Sequence, residues 1–222
     1  MFTIKWEWHK LTRKEKYQAI LGWFRQNMPV AESELHYRNP FELLVAVVLS
    51  AQCTDKRVNL VTPALFEAYP TPQAMAEATY TAILSYIQSV SYPNNKAKHV
   101  WALAQKLQQD FNGEVPANLE QLQTLPGVGR KTASVVMAVA FNQPAMPVDT
   151  HVFRVSHRLG LVAKTANSPL QVEKELTKHI AKEEWAVAHH WLLLHGRYVC
   201  VARNPHCETC GIAAFCPSKN KK

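Results

Sequence analysis

The sequence of 222 residues has no apolar run close to the eighteen or so residues that a membrane-spanning helix needs. Its longest apolar stretches, Leu43–Leu49 and Ser134–Phe141, have the length of buried helices. The segment Met1–Trp8 is interrupted by charge, so no secretory signal peptide is expected. Internal repeats, low-complexity segments and long linkers are also missing. We therefore expect a cytoplasmic protein that does not bind a membrane.

The alternation of apolar and polar residues between hairpin turns that marks β-strands is absent too. Signals for helices take its place. Thr12, Asn39 and Ser168 are each followed three positions later by Glu or Gln, which is the usual pattern at the start of a helix. Pro63 is expected to start or kink a helix rather than to lie inside one. The fold class is therefore predicted to be all-α.

Acidic residues are outnumbered by basic ones, 17 to 25, and the isoelectric point is about 9.3. This balance favours a polyanionic partner such as nucleic acid. Taken alone, a net charge of +8 equally fits a basic protein without such a partner. The length is sufficient for one large domain or two small ones with a real core.

The most informative motif is Leu-Pro-Gly-Val-Gly-Arg-Lys-Thr-Ala at residues 125–133. Gly127 and Gly129 flank one apolar residue, and glycine allows a tight turn that another molecule can approach closely. The turn leads into a predicted helix from Arg130 to about Phe141. The first N–H groups of a helix have no partner within it, so they suit an anion, and phosphate is the obvious anion for a basic protein.

Lys131 lies in the first turn of this predicted helix, where the positive end of the helix dipole disfavours a protonated amine. A lysine biased toward its free amine beside a phosphate-binding turn suggests a nucleophile that acts on nucleic acid. Asp149 follows eighteen residues later, in Val-Asp-Thr-His. The glycine motif alone would more often be an ordinary loop with a solvated lysine.

Four of the five cysteines lie within seventeen residues, in the spacing C-x6-C-x2-C-x5-C: Cys200, Cys207, Cys210 and Cys216. In a chain without a signal peptide, such a cluster indicates a metal site rather than disulfides. Structural zinc sites usually contain two close pairs of ligands, whereas this run contains one. Four thiolates at uneven spacing fit an iron–sulfur cluster at least as well. Spacing alone leaves zinc and iron–sulfur almost equally supported.

With these motifs in place, the sequence closely resembles the endonuclease III family of DNA repair glycosylases. The resemblance runs from about Thr12 to Cys216. The matching segments are 39–44, 49–52, 113–116, 125–133, 148–154 and 190–197. The cysteine spacing is the family's pattern for a [4Fe–4S] cluster, so the resemblance implies this cofactor with the four clustered cysteines as its ligands.

The resemblance also implies a two-lobed helix-hairpin-helix fold. A six-helix barrel of residues 33–143 would carry the hairpin, and a discontinuous domain of 1–32 and 144–222 would hold the iron–sulfur cluster. DNA and the active site would lie in the cleft between the lobes. A monomer associated with the nucleoid is expected.

The implied function is base excision repair, in which a glycosylase removes oxidised pyrimidines from damaged duplex DNA and also acts as an AP lyase. Lys131 would attack the sugar C1′ of a flipped nucleotide, and the resulting Schiff base would lead to β-elimination. Asp149 would assist deprotonation of the lysine and stabilise positive charge on the sugar. The expected DNA contacts are Gln52, which would fill the gap left by the flipped nucleotide, together with Gly127, Val128, Gly129, Arg130, Thr132, His151 and Arg203.

One segment departs from the family pattern. Ser91–Ala97 is interpreted as a loop, and Pro93 is expected to stiffen it where relatives usually have glycine and then aromatic residues. The preferred lesion and opposing base therefore do not follow from the resemblance.

Three other interpretations stay open: a monofunctional adenine glycosylase, a non-catalytic helix-hairpin-helix module and a zinc-stabilised DNA-binding protein. Relatives of the first kind generally lack a lysine at the position of Lys131, and its pairing with Asp149 argues against the second. The colour of the purified protein would separate the third.

Overall fold

A computed structural model describes residues 11–219. The segment Met1–Trp8, considered above for a signal peptide, lies outside the described residues, as do 9–10 and 220–222. Between residues 11 and 219 the chain forms α-helices and short 3₁₀ turns, and no β-strand occurs in that range. This confirms the predicted fold class. None of the helices in this part of the chain is long and apolar enough to cross a membrane.

The helices follow one another in the order that their bounds give. They are α1 Arg13–Asn27, α2 Pro40–Leu49, α3 Asp55–Ala68, α4 Pro72–Glu77, α5 Tyr80–Ile87, α6 Pro93–Phe111, α7 Leu119–Gln123, α8 Arg130–Phe141, α9 Thr150–Arg158, α10 Pro169–His179 and α11 Trp185–Tyr198. The chain divides into two compact units. One consists of residues 33–145 with α2 to α8, and the other joins 11–32 to 146–219.

The core of unit 33–145 is built on α2, in which every residue from Phe41 to Leu49 is buried. The Asn39 side chain caps the start of this helix by accepting a hydrogen bond from the N–H of Glu42 (2.9 Å). Helices α3, α6 and α8 pack around it. The long apolar run in the sequence is therefore a central helix, surrounded by the others.

Two expectations for this unit are wrong. Pro63 lies inside α3, because the helix buries Val58 and Leu65 on one face while Pro63 is exposed on another. Core packing thus outweighs the loss of one backbone hydrogen bond. Most of Ser91–Ala97 is helical rather than a loop, since α6 begins at Pro93, a position that tolerates proline because its N–H would have no helical partner anyway.

The other unit is held together by α1, which packs on parts of the chain more than a hundred residues away. The capping box at Thr12 is present, and the apolar face that follows it is buried. The ring of Phe24 stacks on that of Trp191 in α11, with centroids 5.8 Å apart. The hydroxyl of Tyr17 donates to the Leu161 carbonyl (3.0 Å).

Candidate functional site

The motif at 125–133 forms a tight turn between α7 and α8 in unit 33–145. Leu125 and Val128 point into the core, and the N–H of Val128 donates to the Leu125 carbonyl (3.1 Å). Gly127 has a φ of +76°, and a Cβ on it would lie 2.9 Å from Cβ of His99 in α6. Only glycine satisfies both the left-handed backbone and this close approach.

Gly129 begins α8 and provides no side chain to cap the first turn. A Cβ on Gly129 would meet nothing within 4 Å, so this backbone faces open space rather than protein. Arg130 and Lys131 follow and are both exposed, whereas Thr132 is half-buried. An open helix N-terminus with two adjacent cationic side chains is the arrangement that binds an anion.

Asp149 begins α9 in the other unit and caps it. Its Oδ1 accepts the backbone N–H groups of His151 (2.9 Å) and Val152 (2.8 Å), and its Oδ2 lies 3.0 Å from Nδ1 of His151. Burial on its own raises the pKa of Asp149, but these hydrogen bonds and the charge of nearby histidines outweigh it, so the pKa is lowered. The carboxylate is therefore ionised at neutral pH.

Helix α11 holds the start of α9 in place. The buried ring of His189 has Nδ1 2.8 Å from the Pro147 carbonyl; that nitrogen is therefore the donor, since a carbonyl only accepts. A Cβ on Gly196 would come within 2.9 Å of Cβ of His151. The absence of a side chain at Gly196 is thus what lets α11 pass this close to the residue that contacts Asp149.

The four clustered cysteines follow α11 and line one cavity, together with the apolar side chains of Leu159 and Val199. They form no disulfide. Burial raises the pKa of Cys210 and of Cys216, and the neighbouring thiols add to this. Deprotonation of these thiols is therefore coupled to binding of a metal.

Four thiols around one cavity are the donor set that an iron–sulfur cluster requires. Across residues 11–219, no group of three or more His, Cys, Asp or Glu side chains is arranged to hold a metal ion.

Arg158, in the last turn of α9, organises the backbone of the cysteine segment. Its guanidinium donates to the carbonyls of Val201 (2.7 Å) and Ala202 (2.9 Å) and lies 3.5 Å from Sγ of Cys200. One turn earlier, Arg154 donates to the Gly196 carbonyl (2.8 Å). Sequence reasoning missed Arg158, because its partners are backbone carbonyls and a carbonyl is the same at every position.

The remaining predicted contacts fall in both units. Gln52 is exposed just after α2 in unit 33–145, which also contains the hairpin turn. Arg203 is exposed in the loop between the first two cysteines, in the unit that also contains Asp149 and the half-buried His151. Val128 differs from the expectation, because its side chain is buried and its N–H is bonded to Leu125.

Two family models match the chain. Residues 45–182 match the HhH-GPD superfamily base excision DNA repair protein, and residues 200–216 match the iron–sulfur binding domain of endonuclease III. The first match spans more than half of the chain, and the second covers the cysteine cluster from its first member to its last.

Known proteins are similar over nearly the whole length. Endonuclease III of Rickettsia felis is 49% identical over 198 residues, 89% of this chain and 92% of that protein. Endonuclease III of Escherichia coli K12 is 43% identical over 208 residues, 94% and 98% of the two chains. A solved structure of a trapped endonuclease III–DNA covalent intermediate, an estranged-adenine complex, matches with a TM-score of 0.90 and 47% identity, covering 95% and 98%.

The fold and the hairpin turn define a helix-hairpin-helix protein of base excision DNA repair. Within this class, the chain belongs to the endonuclease III family, which confirms the resemblance stated above. It is a DNA-binding DNA glycosylase and AP lyase, and its cofactor is a [4Fe–4S] cluster.

Proposed function

We propose that Lys131 is the nucleophile of this glycosylase and that Asp149 stabilises the positive charge that develops, on an oxidised pyrimidine nucleotide of duplex DNA. The observation that carries the proposal is an exposed lysine in the first turn of an uncapped helix, directly after a Gly-Val-Gly turn. The similar structure of a trapped covalent intermediate between endonuclease III and DNA supports a nucleophile on the protein.

The reaction begins with a nucleotide flipped out of the duplex, since its C1′ is out of reach within the base stack. The neutral amine of Lys131 forms a bond to C1′, and the bond from C1′ to the base breaks. Opening of the sugar gives a Schiff base, which acidifies the hydrogen on C2′. Loss of that proton expels the 3′ phosphate, so the strand is cut by β-elimination.

Asp149 is suited to charge stabilisation more than to accepting a proton. Its pKa is lowered, because backbone N–H groups and His151 stabilise its ionised form. An ionised carboxylate held in place by a helix needs little reorganisation when positive charge appears on the sugar or on the Schiff base. Its expected help in deprotonating the lysine is therefore the smaller part of its role.

The DNA contacts that we propose position the backbone rather than read the sequence. Gly127, Gly129, Arg130 and Thr132 would bind a phosphate at the start of α8. Val128 would act only by anchoring the turn, because its side chain and N–H are already used within the unit.

Three contacts lie elsewhere in the chain. Gln52 would enter the space left by the flipped nucleotide, His151 would line the site next to Asp149, and Arg203 would bind a phosphate. Exposure supports Gln52 and Arg203 in these roles, since both side chains are accessible to DNA.

We also propose that unit 33–145 corresponds to the helix-hairpin-helix barrel, with bounds 33–143, and that residues 1–32 and 144–222 form the iron–sulfur domain. Cys200, Cys207, Cys210 and Cys216 would bind the cluster, because all four line one cavity. When bound, the cluster would cross-link the cysteine segment and place the Arg203 loop for DNA. We expect the enzyme to act as a monomer at the nucleoid, where its substrate is.

The test is borohydride trapping on a duplex that carries thymine glycol or an abasic site. The wild-type protein should release the base, cut the strand and give a covalent adduct, and Lys131→Ala should give no adduct. Arg130→Ala is the matched control, since it removes the neighbouring charge of the same helix turn. Trapping that persists in Lys131→Ala would remove this lysine from the nucleophile role. Base release without an adduct would indicate a monofunctional glycosylase, and no reaction at all would indicate a binding module.

A further inference from the structure

One face of α6 contacts two loops that the proposed function uses. Lys96 and His99 lie three residues apart and therefore share a face of the helix. His99 packs against Gly127 of the hairpin turn, as described above. Lys96 reaches instead to the segment after α2, which contains Gln52. A single helix thus supports both the turn for the phosphate and the residue for the gap.

Lys96 is unusual because its side chain is buried, with 5% of its surface exposed. Its Nζ donates to the carbonyls of Leu49 (2.8 Å) and Ala51 (2.6 Å) at the end of α2. The last carbonyls of a helix lack internal donors and carry partial negative charge. The last turn of α2 has no basic residue of its own, so the positive charge comes from α6.

Burial of an ammonium is unfavourable, and burial lowers the pKa of Lys96, with Cys53 opposing the shift. A lysine that only filled space here would be replaced by an apolar residue at no loss. The two carbonyl contacts are therefore the reason for the charge.

The residue after these carbonyls has a strained backbone. Gln52 has a φ of +53°, in the left-handed region that non-glycine residues rarely adopt. Its side chain is exposed and makes no hydrogen bond to the described part of the chain. Such a conformation persists only when its surroundings hold it.

Lys96 acts on the peptide group that sets this conformation. The Ala51 carbonyl and the Gln52 N–H belong to one planar unit, so fixing the carbonyl oxygen fixes the plane about which φ of Gln52 is measured. On the other side, the N–H of Cys53 donates to the Ser50 carbonyl (3.0 Å) and closes the turn. Gln52 is thus held between two backbone contacts, one of which comes from Lys96.

The backbone of Lys96 makes a matching contact. Its N–H donates to the carbonyl of Tyr92 (3.1 Å), the residue that begins α6. Tyr92 is also left-handed, with φ of +55°, and 64% of its surface is exposed. Lys96 therefore bonds directly to the loop before its own helix and to the loop that carries Gln52.

We propose that Lys96 is a positioning residue for Gln52: its buried ammonium orients the Ala51–Gln52 peptide and so presents the Gln52 amide to the space that the flipped nucleotide leaves. The inference rests on the proposed role of Gln52. Lys96 touches no reacting atom, so its effect should be seen in recognition of the flipped state rather than in the chemical step.

The experiment is a double-mutant cycle of Lys96→Met and Gln52→Ala, measured as the dissociation constant for a duplex with a stable abasic analogue. Each single variant should weaken this binding by about tenfold, as expected for loss of a charged or central hydrogen-bonding group. The double variant should be no weaker than either single one, because both changes remove the same interaction. Binding to undamaged duplex should not change.

Controls separate positioning from general stability. Lys98→Met removes an exposed charge from the same helix and should leave binding to the analogue unchanged. Lys96→Arg keeps a cationic donor and should recover part of the loss. A 2-aminopurine opposite the analogue should brighten less with Lys96→Met and with Gln52→Ala than with wild type, since an unfilled gap lets the base restack. If Lys96→Met does not fold, Lys96→Gln, which keeps one donor, replaces it in the cycle.

Two outcomes would overturn the inference. Losses that multiply in the double variant would mean that Lys96 acts independently of Gln52, and wild-type binding by Lys96→Met would mean that it does not act at all. Both leave wild-type strand cleavage and trapping intact. Failure of the proposed function is distinct, since the wild-type protein itself would then neither release a base nor form an adduct.

Discussion

Replacement of Asp149 separates two roles that the structure gives to one carboxylate. Its Oδ1 caps α9 through the N–H groups of His151 and Val152, while its charge is available to the reaction. Asp149→Asn keeps an oxygen for the cap and removes the charge. Asp149→Ala removes both. The two variants should therefore lose activity together but differ in stability.

The stability difference follows from the cap. Loss of an aspartate cap to alanine costs about 0.5–2 kcal/mol, whereas asparagine caps almost as well. In a chain of this size, about 1 kcal/mol corresponds to roughly 2–4 °C in Tm. Asp149→Ala should thus melt a few degrees below wild type. Asp149→Asn should lose less than about 1 kcal/mol at neutral pH, the value of a charge at a helix end.

The activity loss follows from the charge. Removal of a preorganised group that stabilises charge in the transition state typically costs about 10²–10³ in rate. Both Asp149 variants should therefore show single-turnover base release slower by about this factor, with binding to a lesion duplex retained in Asp149→Asn.

Acid solution provides an independent check. Because the folded-state pKa of Asp149 is lower than its unfolded value, this carboxylate stabilises the folded protein above the unfolded pKa. That contribution is lost as the pH falls through the folded-state pKa, which lies below about 4, the ordinary value for aspartate. Asp149→Asn has nothing to lose there, so the Tm difference between wild type and variant should shrink in acid.

Thermal melting followed by circular dichroism and single-turnover assays on a thymine-glycol duplex measure the two losses. His151→Ala is the matched control, because its backbone N–H still donates to the cap while its ring, 3.0 Å from Oδ2, is gone. A wild-type Tm for Asp149→Ala would refute the cap, and wild-type turnover by Asp149→Asn would refute the electrostatic role.

Three further results are expected. Purified protein should be brown and contain about four irons per chain, and Cys207→Ser should lower both iron content and yield because metal binding and folding are coupled; one zinc in a colourless protein would contradict this. Arg158→Ala should speed loss of iron to a chelator, because it releases the carbonyls of the cysteine segment; equal rates would contradict its organising role. Arg203→Ala should reduce the salt slope of DNA binding by about one unit, and an unchanged slope would mean that it contacts no phosphate.

The start of each helix was predictable where its cause is local. The side chains of Thr12, Asn39 and Ser168 each bond a backbone N–H three residues later, so the sequence contains both partners within one turn. The same local rules failed at Pro63, because whether a helix continues through proline depends on what its opposite face buries. They also failed at Pro93, which starts α6 instead of stiffening a loop.

The candidate site divides in the same way. The turn from Gly127 to Lys131 and the cysteine spacing are contiguous in sequence, so residue types and intervals were enough to single them out. Lys96 was passed over because its partners are carbonyls 45 and 47 residues earlier. Backbone carbonyls have the same chemistry whichever side chain they accompany, so no pattern of letters marks them as ligands.

By itself the sequence determined the helices with local caps, the glycine turn with its lysine, the cysteine set and the family, because each depends on neighbours along the chain or on motif order. Only the tertiary structure decided that α1 joins α9–α11 in one core, that the Asp149 carboxylate is shared between a helix cap and His151, and that Lys96 closes the end of α2. These contacts depend on which distant groups packing brings within hydrogen-bonding distance, and that distance is a property of the folded chain alone.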